Sequence, residues 1–449
     1  MKDIPAIFKE YDIRGLYGTE LTEDLATDIG RGFVTLLGCR KVVIGRDLRS
    51  HSDTLFAALV KGITELGADV LDAGRCSTPL SYFANGSLGA DASIMITASH
   101  NPKEYNGFKL CRAQAVPISG STGIKDLEKI VREQAFAPAA AVPGKVVSVD
   151  VTAAYGEHVR KSANLGRRLR VALDLANAAG IFEAKAFEGL DLEIVPLYGE
   201  PDGTFPHHEG NPLKHETLRD LQAMVREGGF DFGAAFDGDA DRCGFVDEKG
   251  DIIPMDLITG IVARDILERR GPCTIFYDLR SSWAVKEEIE AHGGTAMMSR
   301  VGHAFIKQQM RDHDAVFAGE LSGHYYFRDN YVAESSSMAL LAIANILSHT
   351  DKKLSELMAP LQRYSASGEI NTKLADRSAA IGVMAELKER YSAQGGRAFE
   401  LDGISVEFAD WWFNVRCSNT EPLLRLNLEA KTPELMAAKR DEVLALIRK

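Results

Sequence analysis

The chain has 449 residues, 45% of them hydrophobic and 26% charged, with a formal net charge of −12. That length exceeds one ordinary core and suggests roughly three or four domains, and the composition is that of a globular protein. The acidic balance argues against nonspecific nucleic-acid binding but leaves room for a small anionic substrate, because a local group of arginines and lysines outweighs the global field at contact distance.

The start, Met1-Lys2-Asp3-Ile4-Pro5, lacks the apolar core of a secretory signal. The longest apolar stretch, near Met338 to Ala344, is too short to cross a bilayer. Six scattered cysteines without C-x-x-C spacing argue against a zinc site and a disulfide scaffold. A cytosolic protein is expected, with no membrane and no nucleic-acid partner.

Tyr11-Asp12-Ile13-Arg14-Gly15 opens the chain with polar groups that would otherwise pass as surface charge. Three later segments share one plan: an apolar β-rich strand, a polar turn opening on Asp or Arg, then a run with helical period. They end at Asp47, Asp174 and Asp278. After the first, Leu55, Phe56, Leu59, Val60, Ile63 and Leu66 fall on one helical face, and a further strand follows at 70–74. Such alternation predicts α/β units with mixed or parallel sheets, whose strand C-termini line the ligand crevice.

Thr97-Ala98-Ser99-His100-Asn101-Pro102 follows the apolar strand 92–96. Asn101 before Pro102 is biased away from helical backbone, so the chain turns just after the serine. A hydroxyl at the end of a buried strand, beside His100, is presented rather than packed, although a capped turn would use the same residues. Lys109 follows in Asn106-Gly107-Phe108-Lys109.

The Ala- and Pro-rich stretch 137–144 resembles a linker. Beyond it, Asp237-Gly238-Asp239-Ala240-Asp241-Arg242 sets three carboxylates at every second residue between apolar strands. Charges about 5 Å apart repel by about 3 kcal/mol per pair at an effective dielectric near 20. A partly buried triplet therefore calls for a hard cation such as Mg²⁺. An EF-hand would fit Asp237, Asp239, Asp241 and Glu248, but its sixth position needs glycine and holds Arg242.

Gly319-Glu320-Leu321-Ser322-Gly323-His324 offers acceptor, donor and switchable groups suited to a polyhydroxyl ligand, and an ordinary polar turn would use the same residues. Arg416-Cys417-Ser418-Asn419-Thr420-Glu421-Pro422, with Arg425 beyond it, combines guanidinium, hydroxyls and amide as a phosphate nest does, and a capping turn would use the same Ser and Thr. Gly368, near a third boundary, is expected to act as a hinge for the C-terminal piece.

In this order, the Tyr11–Gly15 segment, the serine loop, the Asp-Gly-Asp-x-Asp-Arg loop, the Gly-Glu-x-Ser-Gly-His loop and the Arg-x-Ser-Asn-Thr-Glu-Pro loop resemble the α-D-phosphohexomutase family, close to its phosphomannomutase/phosphoglucomutase branch. The resemblance runs over essentially the whole chain. It implies three related α/β domains with mixed sheets and a smaller C-terminal α+β domain around a central cleft. The corresponding divisions are 1–146 for the phosphoserine domain, 147–252 for the metal domain, 253–365 for sugar recognition and 366–449 for phosphate binding.

The resemblance implies that Ser99 carries a phosphoryl group and that Asp237, Asp239 and Asp241 hold Mg²⁺ with a phosphoserine oxygen. Glu320 and Ser322 would grip sugar hydroxyls beside His324. Arg416, Ser418, Asn419 and Thr420, with Arg425, would hold the nonreacting phosphate. Arg242, Arg280, His303 and Tyr11 would face the cleft; His100, Arg14 and Lys109 would manage protons and charge. The implied reaction interconverts hexose 6-phosphate and hexose 1-phosphate, for mannose and glucose, with hexose 1,6-bisphosphate as intermediate and activator, in a monomer. A phosphoglucosamine mutase and a metal-dependent sugar phosphatase using the same serine are the alternatives.

Overall fold

The computed structural model describes residues 3–373, 377–417 and 423–448. Four sheets follow one another along the chain. In the first, the central strand Lys41–Arg46 runs parallel to Asp69–Arg75 on one side and to Ala92–Ile96 on the other, and Tyr105–Arg112 pairs antiparallel with the latter. Ile13–Leu16 closes one edge and Val146–Ser148 the other.

The second and third sheets repeat this arrangement. Leu169–Asp174 lies between parallel Leu192–Leu197 and Phe232–Phe236, and Cys243–Val246 returns antiparallel. Thr274–Asp278 lies between parallel Thr295–Ser299 and Phe317–Gly319, and Tyr325–Phe327 returns antiparallel. The three segments that share a sequence plan are thus the central strands of three equivalent sheets. Asp47, Asp174 and Asp278 each accept a hydrogen bond from the backbone N–H two residues on, at 3.1, 2.9 and 2.7 Å. Each Asp forms the same side-chain turn that ends its strand.

The expected helical face lies on helix Ser52–Glu65, where Leu55, Leu59 and Ile63 are fully buried. This helix crosses Glu23–Leu37 so closely that a Cβ on Gly62 would stand 2.0 Å from the carbonyl oxygen of Thr27. The stretch 137–144 forms no strand or helix and leans on that helix end, with Ala140 and Gly144 donating to the carbonyls of Glu65 and Thr64.

One continuous apolar core joins the first three units, including Phe83, Tyr155, Phe232, Ile258 and Leu341. The fourth unit has a core of its own around Tyr391, Phe413 and Leu426, beneath an antiparallel sheet built on Trp411–Cys417 and Leu423–Ala430. Gly368 takes the left-handed conformation, at φ +66°. Ser365–Ala366 before it and Ile370–Lys373 after it both pair with Leu423–Ala430, so Gly368 turns the chain inside the fourth sheet.

Candidate active site

Each of the first three sheets sends its site loop from the same place, the connection that leads into its antiparallel return strand. Residues 97–104, 237–242 and 320–324 are those connections. Equivalent loops of three sheets therefore converge, which is the crevice expected outside strand C-termini.

Ser99 is 2% exposed and takes the left-handed conformation at φ +52°. For a non-glycine residue that geometry costs about 1–2 kcal/mol and persists only where neighbours enforce it. Its N–H donates to Thr97 Oγ1 at 2.8 Å, and Asn101 N–H closes the turn onto Ala98. The Ser99 hydroxyl donates to Asp237 Oδ2 at 3.1 Å and lies 3.1 Å from His100 Nδ1. Enclosure, then Arg242 and Arg14, hold the His100 pKa well below the ordinary histidine value, so the ring is neutral. Arg14 Nη1 donates to Asn101 Oδ1 at 2.7 Å, and its Nη2 pairs with Asp12.

Asp237, Asp239 and Asp241 are buried, with ligand oxygens within 4.8 Å of one another. Burial first, then the charges of Asp239 and Asp241, push the Asp237 pKa up to about 8. Burial also works against the charge on Asp241, but Lys109 and then His324 outweigh it and hold that carboxyl well below the usual range. Lys109 Nζ donates to Asp239 Oδ2 at 2.6 Å and to Asp241. Burial opposes the ammonium form, yet Asp239, Asp241 and Asp237 raise its pKa well above normal. Asp239 Oδ1 is buried with no hydrogen-bond partner, and Asp241 Oδ1 lies 3.3 Å from His324 Nε2 without hydrogen-bond alignment. Two such oxygens beside Asp237 fit a hard divalent cation.

The third loop touches the second directly. Cys243 N–H donates to Gly323 O at 2.9 Å, and Arg242 Nε lies 3.2 Å from His324 Nε2. Burial opposes a charge on His324, but Asp241 and Glu320 outweigh it, and against Arg242 they push its pKa up to about 9. Glu320 accepts from Gly302 N–H at 3.2 Å and from the Tyr326 hydroxyl at 2.6 Å, and Ser322 Oγ lies 2.9 Å from His324 Nδ1.

Glu369 gathers two arginines of the fourth unit and one of the third. Arg416 Nη2 and Arg425 Nη1 each lie 3.1 Å from its carboxylate, and Arg280 Nη1 lies 3.6 Å away. Arg280 is otherwise anchored to Asp278 at 2.6 Å. Ser418, Asn419 and Thr420 lie outside the described residues.

The family's domain models, phosphoglucomutase/phosphomannomutase α/β/α domains I, II and III, match residues 5–138, 153–250 and 254–364, and its C-terminal domain matches 369–446. The chain belongs to the phosphoglucomutase/phosphomannomutase family. It is 40% identical over 451 aligned positions to a phosphomannomutase of Escherichia coli K12, covering 98% of each chain. It is 39% identical to a protein of Xanthomonas campestris strain B100 named phosphohexose mutases, covering 99% of each. A crystal structure of a phosphoglucomutase/phosphomannomutase family protein from Burkholderia thailandensis superposes with a TM-score of 0.92 at 30% identity, over 99% of this chain and 98% of that one. The enzyme is of the phosphohexomutase type, and its phosphosugar substrates follow from the family. Among the described residues, no helix is long and apolar enough to cross a membrane.

Against this family frame, Ser99, His100, Lys109, the Asp triplet, Arg242, Glu320, Ser322 and His324 form one connected group. Arg14 joins it through Asn101. Tyr11 instead donates its hydroxyl to Val301 O at 2.9 Å and packs edge-on against His303 and Phe305, tying the first unit to the third. His303 faces Glu334 at 3.4 Å, which also pairs with the fully buried Lys307 at 2.5 Å. Thr78, Arg49 and Glu369 were not among the sequence candidates. Thr78 Oγ1 donates to Asp239 Oδ2 at 2.6 Å from the start of a first-unit helix, a contact with no local signature. Glu369 could have been suspected only as a lone acid beside Gly368.

Proposed function

We propose that the enzyme interconverts hexose 6-phosphate and hexose 1-phosphate, accepting mannose and glucose, through phosphoserine at Ser99 and a hexose 1,6-bisphosphate. The observation that carries this reading is the 3.1 Å contact between Ser99 Oγ and Asp237 Oδ2 inside a buried acidic cluster, with neutral His100 on the same hydroxyl. In the first half-reaction the bond between phosphorus and Ser99 oxygen breaks, a bond to the sugar hydroxyl forms, and the hydroxyl proton ends on Ser99. The bisphosphate turns end for end, and the same exchange in reverse returns a phosphoryl group to Ser99.

His100, uncharged and in contact with Oγ, suits relaying that proton, for a gain of about 10²–10⁴-fold. Lys109 is committed to two carboxylates as an ammonium, so in this reading it stabilises charge rather than acting as base. Mg²⁺ held by Asp237, Asp239, Asp241 and the serine phosphate would neutralise charge on the transferring group, the main demand of phosphoryl transfer. Glu320 and Ser322 are assigned to sugar hydroxyls O3 and O4, which leaves C2 unread and admits both epimers. Arg416, Arg425 and the 418–420 loop are assigned to the far phosphate. In this reading the enzyme works as a cytosolic monomer on free phosphosugars.

Intact mass with peptide mapping tests the phosphoserine, and Ser99→Ala should abolish exchange while preserving the fold. Comparable turnover of mannose 1-phosphate and glucose 1-phosphate is expected. Preference for glucosamine 1-phosphate, or release of inorganic phosphate at the turnover rate, would overturn the assignment.

A further inference from the structure

In the segment 47–52, Arg49 and His51 aim their side chains at the backbone of the serine loop. Arg49 is 2% exposed. Its Nη2 donates to the carbonyls of Ser99 and Asn101 at 2.8 and 2.7 Å, and its Nη1 to those of Pro102 and Tyr105 at 2.7 and 3.0 Å. Asp47 holds the guanidinium from behind, Oδ2 to Nε at 3.1 Å, while its Oδ1 accepts from Ser52 Oγ at 2.6 Å. His51 Nε2 lies 3.0 Å from Lys103 O, and Asn106 at the loop's far end reaches His51 Nδ1 at 2.8 Å.

A guanidinium is a rigid planar fork with five N–H groups; an ammonium offers three donors on one atom. Only the fork can span carbonyls at both ends of a turn. It grips the loop at the carbonyl of Ser99 itself, whose left-handed backbone needs enforcement from outside.

We infer that Arg49 is the positioning residue of the serine nucleophile, buried beneath the loop and fixing the backbone that sets Ser99 Oγ against Asp237. This rests on the reading of Ser99 as phosphoryl carrier. Arg49 touches no reacting atom, so its loss misplaces the hydroxyl without weakening the grip on the sugar phosphate.

The test compares Arg49→Lys and Arg49→Ala with the wild type, per mole of folded protein. A misplacement of about 1 Å costs about a hundredfold in rate. Arg49→Ala should therefore lose about that factor in kcat with KM for hexose 1-phosphate essentially unchanged, and millimolar methylguanidinium should restore part of it. Arg49→Lys, which keeps the charge and stands in where Arg49→Ala does not fold, should still be slowed. Wild-type kcat in either folded variant, or a defect confined to a raised KM, would overturn the proposal. Phosphorylation of wild-type Ser99 is measured alongside. If the wild type carries no phosphate and Ser99→Ala turns over, the carrier reading fails and the positioning role falls with it; a phosphorylated wild type with a full-speed Arg49→Lys defeats the positioning role alone.

Discussion

Gly238 lies against the carbonyl oxygen of Ser99: a Cβ at Gly238 would stand 2.3 Å from it. The acidic loop of the second unit and the serine loop of the first thus meet backbone to backbone. No flexible side chain could yield to a methyl group. Gly238→Ala is expected to push Ser99 from Asp237 and cut turnover by about a hundredfold, the scale of an ångström error in placement. Steady-state kinetics with Ser99 phosphate content checks it; wild-type turnover would show that the loops can separate freely.

Chelation should remove activity, and Mg²⁺ should restore it. A ligand at a hundred times its Kd stabilises the native state by about 2.7 kcal/mol. Mg²⁺ should therefore raise the melting temperature of the wild type and not that of Asp239→Asn, which removes one carboxylate of the cluster. Equal shifts in both proteins would remove the site from this loop.

Glu369 serves as an internal anion for Arg416 and Arg425. In the proposed assignment a sugar phosphate at these arginines competes with it, and charge-assisted hydrogen bonds are each worth about 1.5–3 kcal/mol. Glu369→Gln is expected to lower KM for hexose phosphates severalfold and to loosen the contact with Arg280. An unchanged or raised KM would show that the carboxylate organises the arginines rather than competing for them.

Asp256 gives a pH signature away from the acidic cluster. Burial pushes its pKa up to about 6, against the Ser282 N–H that donates to it at 2.8 Å. The native state then binds its proton more tightly than the unfolded chain, whose value is about 3.9. Between these values stability falls as pH rises, and the cost is fully present above pH ~6. Asp256→Asn keeps an acceptor for Ser282 and should gain on the wild type across that window by up to about 3 kcal/mol. Melting temperatures of both proteins on either side of the window test this; a constant difference would rule out titration of Asp256.

Four loop chemistries and the threefold strand plan were written in local residue order. Carboxylates at every second position, a serine before Asn-Pro, and arginine among hydroxyls each state their chemistry without reference to the rest of the chain. Strand and helix periods likewise follow from nearest neighbours, and so Asp47, Asp174 and Asp278 marked equivalent strand ends before any sheet was known. Glycine at 368 reported only local freedom, and the pairing of its neighbours with a strand some sixty residues later was not written in that freedom. What the folded chain alone decided was which groups meet: Ser99 with Asp237 across 138 residues, Lys109 with Asp239 across 130, Thr78 with Asp239 across 161, and Arg49 with Ser99 across 50. Those meetings set the charge states as well, making His100 neutral and Lys109 a fixed cation, because burial and contact distance are properties of packed sheets and not of spacing along the chain.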